Sequence, residues 1–249
     1  MHRYFLKLSY DGSDYFGWQT QVNEHTVQDE LSKVLRLTLN DNEIKLTGCG
    51  RTDSGVHAAK FYAHFDLAKP IDDPKKIIYK LNNFLPFSIA VEKIIPVDKK
   101  AHARFDATSR SYKYYIHQEK NPFLKKYSLL FLRNLDFDKM NAAAKTLLKY
   151  SDFSAFAKLG SDNKTVICNL TEAHWEKIDD QWVFNISADR FLRNMVRAIV
   201  GTLIEVGLGR ISLDEFHEIA NSGSREKAGV SVPANALFLF DIKYDYISD

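Results

Sequence analysis

The 249-residue sequence predicts an α+β protein assembled from two halves with the same element order. Two observations carry that reading. Residues 3–97 run strand, helix, strands, helix, strand, and a similar grammar starts again near residue 109. That order suits strands and helices packed as layers, and it lacks the regular βα alternation of a doubly wound sheet.

The elements follow from local pattern. Residues 3–10, RYFLKLSY, put Tyr4, Leu6, Leu8 and Tyr10 on one face and Arg3, Lys7 and Ser9 on the other, a half-buried strand. The next stretch, DGSDYFGWQ, is a glycine-punctuated aromatic loop. Thr26 to Asp29 fits a capping box, and Val27, Leu31, Val34 and Leu35 give the helix behind it an apolar stripe. Residues 44–47 and 57–66 read as strands flanking the polar turn GCGRTDSG. Asp73-Pro74 opens a second helix with Ile77, Ile78 and Leu81 inward, and SIAVEKIIPV is a strand. In the second half, residues 109–118 form a strand and 136–149 a helix with Met140, Ala143, Ala144, Leu147 and Leu148 buried. Asp179-Asp180 joins two strands as a hairpin. Residues 190–206 form a long helix, Ser212 to Glu215 is a second capping box, and LFLFDIKYDY is the last strand. The halves divide as 1–106 and 107–249.

Composition narrows the functional classes. Hydrophobic residues make up 45% of the chain, enough for a sizeable core. Net charge is +2, from 34 basic and 32 acidic residues, so a nucleic-acid surface has to come from local clustering. Cys49 and Cys168 stand far apart, outside any metal-binding spacing, and no HExxH, GxGxxG or Walker pattern occurs. No metal or nucleotide cofactor is expected. With neither a signal-type leader nor a long apolar run, a cytoplasmic location away from membranes is expected.

Three clusters can carry chemistry. Gly48 to His57 sets Asp53, Arg51 and His57 among three glycines, which allow close approach of a ligand to the backbone. A carboxylate there can serve as nucleophile or base if a cation keeps it ionised, although Asp-Ser-Gly is also an ordinary turn. Arg190, Arg193 and Arg197 have the spacing of one helix face, suited to phosphates or a buried carboxylate; a solvated edge is the plain alternative for the first two. Arg104, Arg110, Tyr112, Lys113, Tyr114 and Tyr115 interleave cations with aromatics, as flipped or single-stranded nucleotides require, or simply rim a sheet. His57 reads better as a structural histidine than as a ligand contact.

Taken together, YDGSDYFGWQ (10–19), TVQ (26–28), GRTDSGVHA (50–58), LNNFLP (81–86), HARFDATSRSYKY (102–114), DFSAF (152–156) and FLRNMVRAIVGTLIEVG (191–207) resemble, in order, the TruA family of tRNA pseudouridine synthases. Phe61, Ser88, Ala236 and Phe238 depart from the family's usual residues. The resemblance implies two ferredoxin-like halves with a merged antiparallel sheet and a central positively charged cleft. It also implies a cofactor-free homodimer that isomerises uridine in the anticodon stem-loop of tRNA, at positions 38–40, and that has no DNA substrate. It places the catalytic aspartate on Asp53 and the essential arginine on Arg197. Tyr112 would stack on the uracil and Arg51 would stabilise the flipped state, with Lys113, Arg190 and Arg193 as candidate phosphate contacts. A non-catalytic RNA-binding protein and a glycosidic hydrolase are the competing functions.

Overall fold

In the computed structural model, residues 1–160 and 164–247 are described. The chain forms two compact units, one of residues 1–108 with 239–249, the other of residues 109–238. Among the described residues no helix is long and apolar enough to cross a membrane.

The first unit contains β1 (His2–Tyr10), α1 (Val27–Leu39), β2 (Thr47–Gly48), β3 (His57–Leu67), α2 (Pro74–Phe84) and β4 (Ile89–Val97). Its strands lie in the order β4-β1-β3, with β2 beside β3, and these neighbours are antiparallel. This is the strand order of a ferredoxin-like half. Thr26 caps α1 by accepting from Asp29 N–H, while its hydroxyl turns to the Asp29 carboxylate instead of completing a capping box. Asn40 ends the helix in the left-handed region, at φ 51°. Asp73 caps α2 with Pro74 in the first turn, as its sequence predicts.

The predicted half-buried β1 is in fact covered on both faces. Phe5 is fully buried and Lys7 nearly so. Their face meets aromatics from far along the chain, for Phe5 packs edge-on against Tyr244 at 5.4 Å and Tyr62 against Tyr244 at 5.2 Å. Alternation in a single strand cannot reveal a lid supplied more than two hundred residues later. The expected strand at 44–47 shrinks to the two residues of β2.

The second unit contains β5 (Ser109–His117), β6 (Leu129–Leu130), α3 (Phe137–Thr146), β7 (Leu170–Ile178), β8 (Gln181–Ala188), α4 (Met195–Gly207) and α5 (Leu213–Asn221). The last strand, β9 (Leu237–Lys243), falls mainly in the first unit, whereas the sequence division at 106/107 puts it in the second half. β5, β8 and β7 lie side by side and antiparallel, while β6 runs parallel to β5. Asp179, at φ 50°, turns the predicted β7–β8 hairpin, and Ser212 with Glu215 forms the predicted capping box of α5. Leu148, expected inside, is 42% exposed because α3 gives way to a 3-10 turn at 147–149.

The long helix predicted from residue 190 starts only at Met195. Asn194 adopts φ 65°, which no helix interior tolerates, and its side chain bonds Ser231 Oγ at 2.6 Å. Arg193 O is taken by Lys158 N–H. Arg190 therefore stands before the helix and Arg193 in the turn where Met195 N–H bonds Leu192 O, and the three arginines do not share one helix face.

One device recurs at the outer strands. Asn82 of α2 accepts from Val91 N–H and donates to Val91 O, both at 2.8 Å, and Asn141 of α3 treats Trp175 in the same way. Each amide satisfies one residue of a strand that would otherwise offer a free edge for pairing.

Loop 101–106 is held by the neutral His64 and the ionised Asp106. His64 Nδ1 accepts from Ala103 N–H, and Asp106 Oδ2 accepts from His102 N–H and Tyr246 O–H. Burial, with Arg3 and His102 nearby, drops the His64 pKa to about 4. Because the folded value is depressed, stability is fully present above the ordinary histidine pKa and is lost as pH falls from about 6.5 toward 4. The urea midpoint of the wild type should fall over that window. His64→Gln, whose amide oxygen can still accept the bond, should lose much of that slope while keeping the decline below pH 4 that comes from carboxylates. An unchanged slope would remove His64 from this role.

Candidate active site

In the first unit, the glycine-rich turn carrying Asp53 is pressed against the aromatic loop after β1. A Cβ on Gly12 would lie 2.0 Å from Val56 O, and one on Gly17, at φ 88°, would lie 2.4 Å from Thr52 O. Only glycine allows backbones to meet this closely. Trp18 N–H donates to Thr52 O, Gly55 N–H and Ser54 Oγ both donate to Tyr15 O, and Tyr10 Oη lies 2.9 Å from Thr52 Oγ1. Thr52, Ser54 and Gly55 are thus tied on either side of Asp53, and Val56 N–H closes the turn on Asp53 O. The Asp53 residue is half-buried and Arg51 is exposed.

The frame beneath this turn is aromatic. Trp18 is 2% exposed and lies tilted over Phe61 with ring centres 4.0 Å apart, and Tyr10 meets the edge of Phe61 at 5.5 Å. The departure at Phe61 is therefore a packing residue under the loop. Gly48 is required there as well, since a Cβ would stand 2.4 Å from the Trp18 ring nitrogen. Ser88 has a comparable role. Its Oγ lies 2.8 Å from Tyr15 Oη and its carbonyl accepts from Asp11 N–H. Burial raises the Tyr15 pKa. His57 is 1% exposed, with Nδ1 within bonding distance of Asp11 Oδ1 and Gly12 N, which fits the structural reading of this histidine.

Phe16 is different. It is 51% exposed beside this frame, between buried Tyr15 and Gly17. The sequence marks the loop as aromatic, but it does not say which ring is left facing solvent. Burial of Tyr15 and Trp18 resolves that.

The second unit builds its own constellation on α4. Arg197 is half-buried, and its Nε donates to Val232 O at 2.8 Å while its carbonyl accepts from Val232 N–H. Segment 229–233 lies along the helix because Gly201 and Gly229 have no side chains. A Cβ on Gly201 would stand 1.9 Å from Val230 O. Gly229 N–H donates to Thr202 Oγ1, and Tyr114 Oη donates to Pro233 O at 3.1 Å. Burial raises the Tyr114 pKa, with the Arg197 charge opposing that rise. Nothing in the helical pattern of 195–207 pointed to segment 229–233 as the partner of Arg197.

On β5, Tyr112 and Tyr114 share one face and Lys113 and Tyr115 the other, so the predicted basic-aromatic cluster is split by the strand. Tyr112 is half-buried and meets Phe191 edge-on at 5.1 Å. Arg110 donates to Asp189 O at 2.6 Å. The Lys113 side is polar and partly aromatic. Ser111 and Ser187 hydroxyls meet at 2.8 Å, Ser187 donates to Glu172, Asn185 donates to Glu176, and Tyr115 packs edge-on against Phe238. Arg104 belongs to the first unit, where its guanidinium lies 5.8 Å from the centre of the Phe105 ring. Arg190 is half-buried and Arg193 exposed.

The sequence matches the family described as tRNA pseudouridine synthase over residues 8–106 and 143–245. It is 50% identical over 244 residues to tRNA pseudouridine synthase A of Parabacteroides distasonis, covering 98% of this chain and 96% of the relative. Identity is 51% over 245 residues with the protein of that name from Bacteroides fragilis, covering 98% and 97%. With the Bacillus subtilis protein of the same name it is 38% over 242 residues, covering 96% and 97%. Among solved structures, the archaeal box H/ACA sRNP Nop10-Cbf5 complex aligns at TM-score 0.36 and 12% identity, over 93% of this chain and 58% of that one, a likeness too slight to carry an argument.

The close approach at α4 gives a direct test. Gly201→Ala forces a methyl group into the Val230 carbonyl, which is backbone and cannot swing away. It should cost about 1–3 kcal/mol, read as a lower urea midpoint. A change below about 0.5 kcal/mol, the level of an ordinary surface substitution, would mean that segment 229–233 is not held against the helix.

Proposed function

The chain belongs to the tRNA pseudouridine synthase family, and from that premise we propose that it modifies the anticodon stem-loop of tRNA, at positions 38–40, with Asp53 as the nucleophile or base. The enzyme class is an isomerase acting on uridine in tRNA. The reaction breaks the C1′–N1 bond, turns the uracil and joins C1′ to C5. The proton displaced from C5 is balanced by one gained at N1, so no atoms are gained or lost.

The single observation that supports the role of Asp53 is its setting. The turn is tied by backbone and side-chain bonds at Thr52, Ser54 and Gly55, so the Asp53 carboxylate stands between fixed neighbours. A catalytic group is useful only when held in place, because small displacements of the reacting atoms are costly. Arg197 is assigned to the same reaction as Asp53. Tyr112 is assigned the stacking role and Arg51 the space left by the flipped base. Arg190 and Arg193 are assigned to phosphates. Lys113, on the opposite face of β5 from Tyr112, would serve a different nucleotide if it touches RNA. The active form is proposed to be a homodimer.

A glycosidic hydrolase would usually employ two carboxylates across the bond. The turn at 48–57 offers only Asp53.

Unmodified tRNA transcript incubated with the protein, then mapped by carbodiimide and primer extension, tests this reading. Stops should appear in the anticodon arm with wild type. Asp53→Ala should slow their formation by roughly 10²–10⁴-fold, the range of a lost acid–base group, while tRNA binding persists. Full activity in that variant would reassign the catalytic residue. Free uracil in the supernatant would support the hydrolase.

A further inference from the structure

The outer face of α2 combines exposed lysines with exposed aromatic rings. The helix reads PKKIIYKLNNF and has no acidic residue within it. Leu81 is buried, and Ile77 and Ile78 are half-buried. Lys75, Lys76 and Lys80 are exposed, Tyr79 is 69% and Phe84 60% exposed, and Phe87, on the turn just beyond, is completely exposed. Lys76, Lys80 and Phe84 follow i, i+4 spacing, and so do Lys75, Tyr79 and Asn83, which gives two adjacent rows of cation and ring. The nearest acid in the chain before the helix, Asp73, is engaged in capping Lys76 N–H.

Large exposed rings grouped with cations are not an ordinary solvated face. Lysine alone would suit solubility, and aromatics alone would suit an apolar partner. The combination fits a polyanion with stackable rings, since ammonium groups neutralise phosphates and aromatic faces stack on bases. The end of this face is linked to the Asp53 turn through Ser88 and Tyr15. Phe87 is followed by Ser88, whose carbonyl accepts from Asp11 N–H and whose hydroxyl meets Tyr15, and Tyr15 in turn bonds Ser54 and Gly55. An 11-residue helix extends about 16 Å. RNA seated on the turn therefore has a charged track leading away from it.

We propose that the α2 face, formed by Lys75, Lys76, Tyr79, Lys80, Phe84 and Phe87, is a docking surface for tRNA flanking the modified nucleotide. This rests on the reading of the Asp53 turn as the place of reaction. The lysines hold phosphates, while Phe87 and Phe84 stack on an unpaired base or cover a sugar at the end of the track. The surface supplies affinity and does not touch the reacting atoms.

The test compares wild type with Lys75→Ala/Lys76→Ala/Lys80→Ala and, separately, with Phe87→Ala. Alanine is the best helix former, so the fold should survive. Binding of full-length tRNA is measured across a salt series, together with the single-turnover rate at saturating tRNA. The triple variant should bind at least tenfold more weakly at low salt. Its slope of log affinity against log salt should be shallower by about 2, as expected when two or three phosphate contacts are lost. Phe87→Ala should weaken binding roughly tenfold without changing the slope. Single-turnover rates at saturation should stay within twofold of wild type in both. Unchanged affinity and slope in the triple variant would overturn the proposal. So would a lowered rate at saturation, which would mean that the helix acts through the Asp53 turn, or a shift in sedimentation, which would mean that a second copy covers this face. The two readings fail separately. An active wild type with unaffected variant binding sinks the docking surface alone. An inactive Asp53-competent wild type whose binding still depends on the lysines sinks the reaction assignment and leaves the surface standing.

Discussion

The backbone contact between the loop after β1 and the turn before β3 constrains everything near Asp53. Gly12 and Gly17 press on Val56 and Thr52 at distances that no β-carbon permits. That contact brings Tyr15 and Trp18 over the turn, where their main-chain groups take up the polar atoms of Thr52, Ser54 and Gly55. Packing follows from it as well. Trp18 closes over Phe61 and Gly48, and Tyr15 reaches Ser88, so residues distant in sequence become the floor and walls of one turn. A short polar turn in isolation would sample many conformations. Here the sampling is removed by hydrogen bonds on both sides of the aspartate and by buried rings beneath it.

The second unit solves a similar problem in the same way. Gly201 and Gly229 let segment 229–233 lie against α4, and the segment then occupies both the Nε and the carbonyl of Arg197. An arginine near a helix start would otherwise sweep a wide volume, and fixing Nε to Val232 O restricts its planar fork to few orientations. In both units, then, glycine is used for close approach, and the charged residue of interest sits next to that approach. Elsewhere the fold is held by ordinary means, with asparagine amides tying single residues of the outer strands and an aromatic lid of Tyr244 and Tyr246 over Phe5.

Local signals in the sequence were enough for many elements. The Asp73-Pro74 start, the Ser212–Glu215 box and the Asp179-Asp180 hairpin depend on neighbouring residues only, and each forms as its pattern predicts. Long-range constraints were not legible. The arginine spacing at 190, 193 and 197 matches a helix face, but Asn194 adopts a left-handed conformation held by Ser231, and a three-residue spacing says nothing of that. The second covered face of β1 depends on Tyr244, and the setting of Arg197 on Val232. Of the candidate site, Asp53 and the importance of its glycines were visible. The exposure of Phe16 beside buried Tyr15 and Trp18 was not, because alternation in an irregular loop carries no burial signal.

If the contact between the two loops sets the position of Asp53, then disturbing it without touching any reacting group should impair chemistry more than binding. The direct measurement uses Gly17→Ala and tRNA carrying tritium at uridine C5, from which tritium is released when the new bond to C5 forms. Near-UV circular dichroism would confirm that Trp18 stays packed. At saturating tRNA the release rate should fall on the order of 10²-fold, as a displacement near 1 Å can cause, with tRNA affinity within twofold of wild type. An unchanged release rate in a folded Gly17→Ala protein would contradict the claim that this contact positions the catalytic turn.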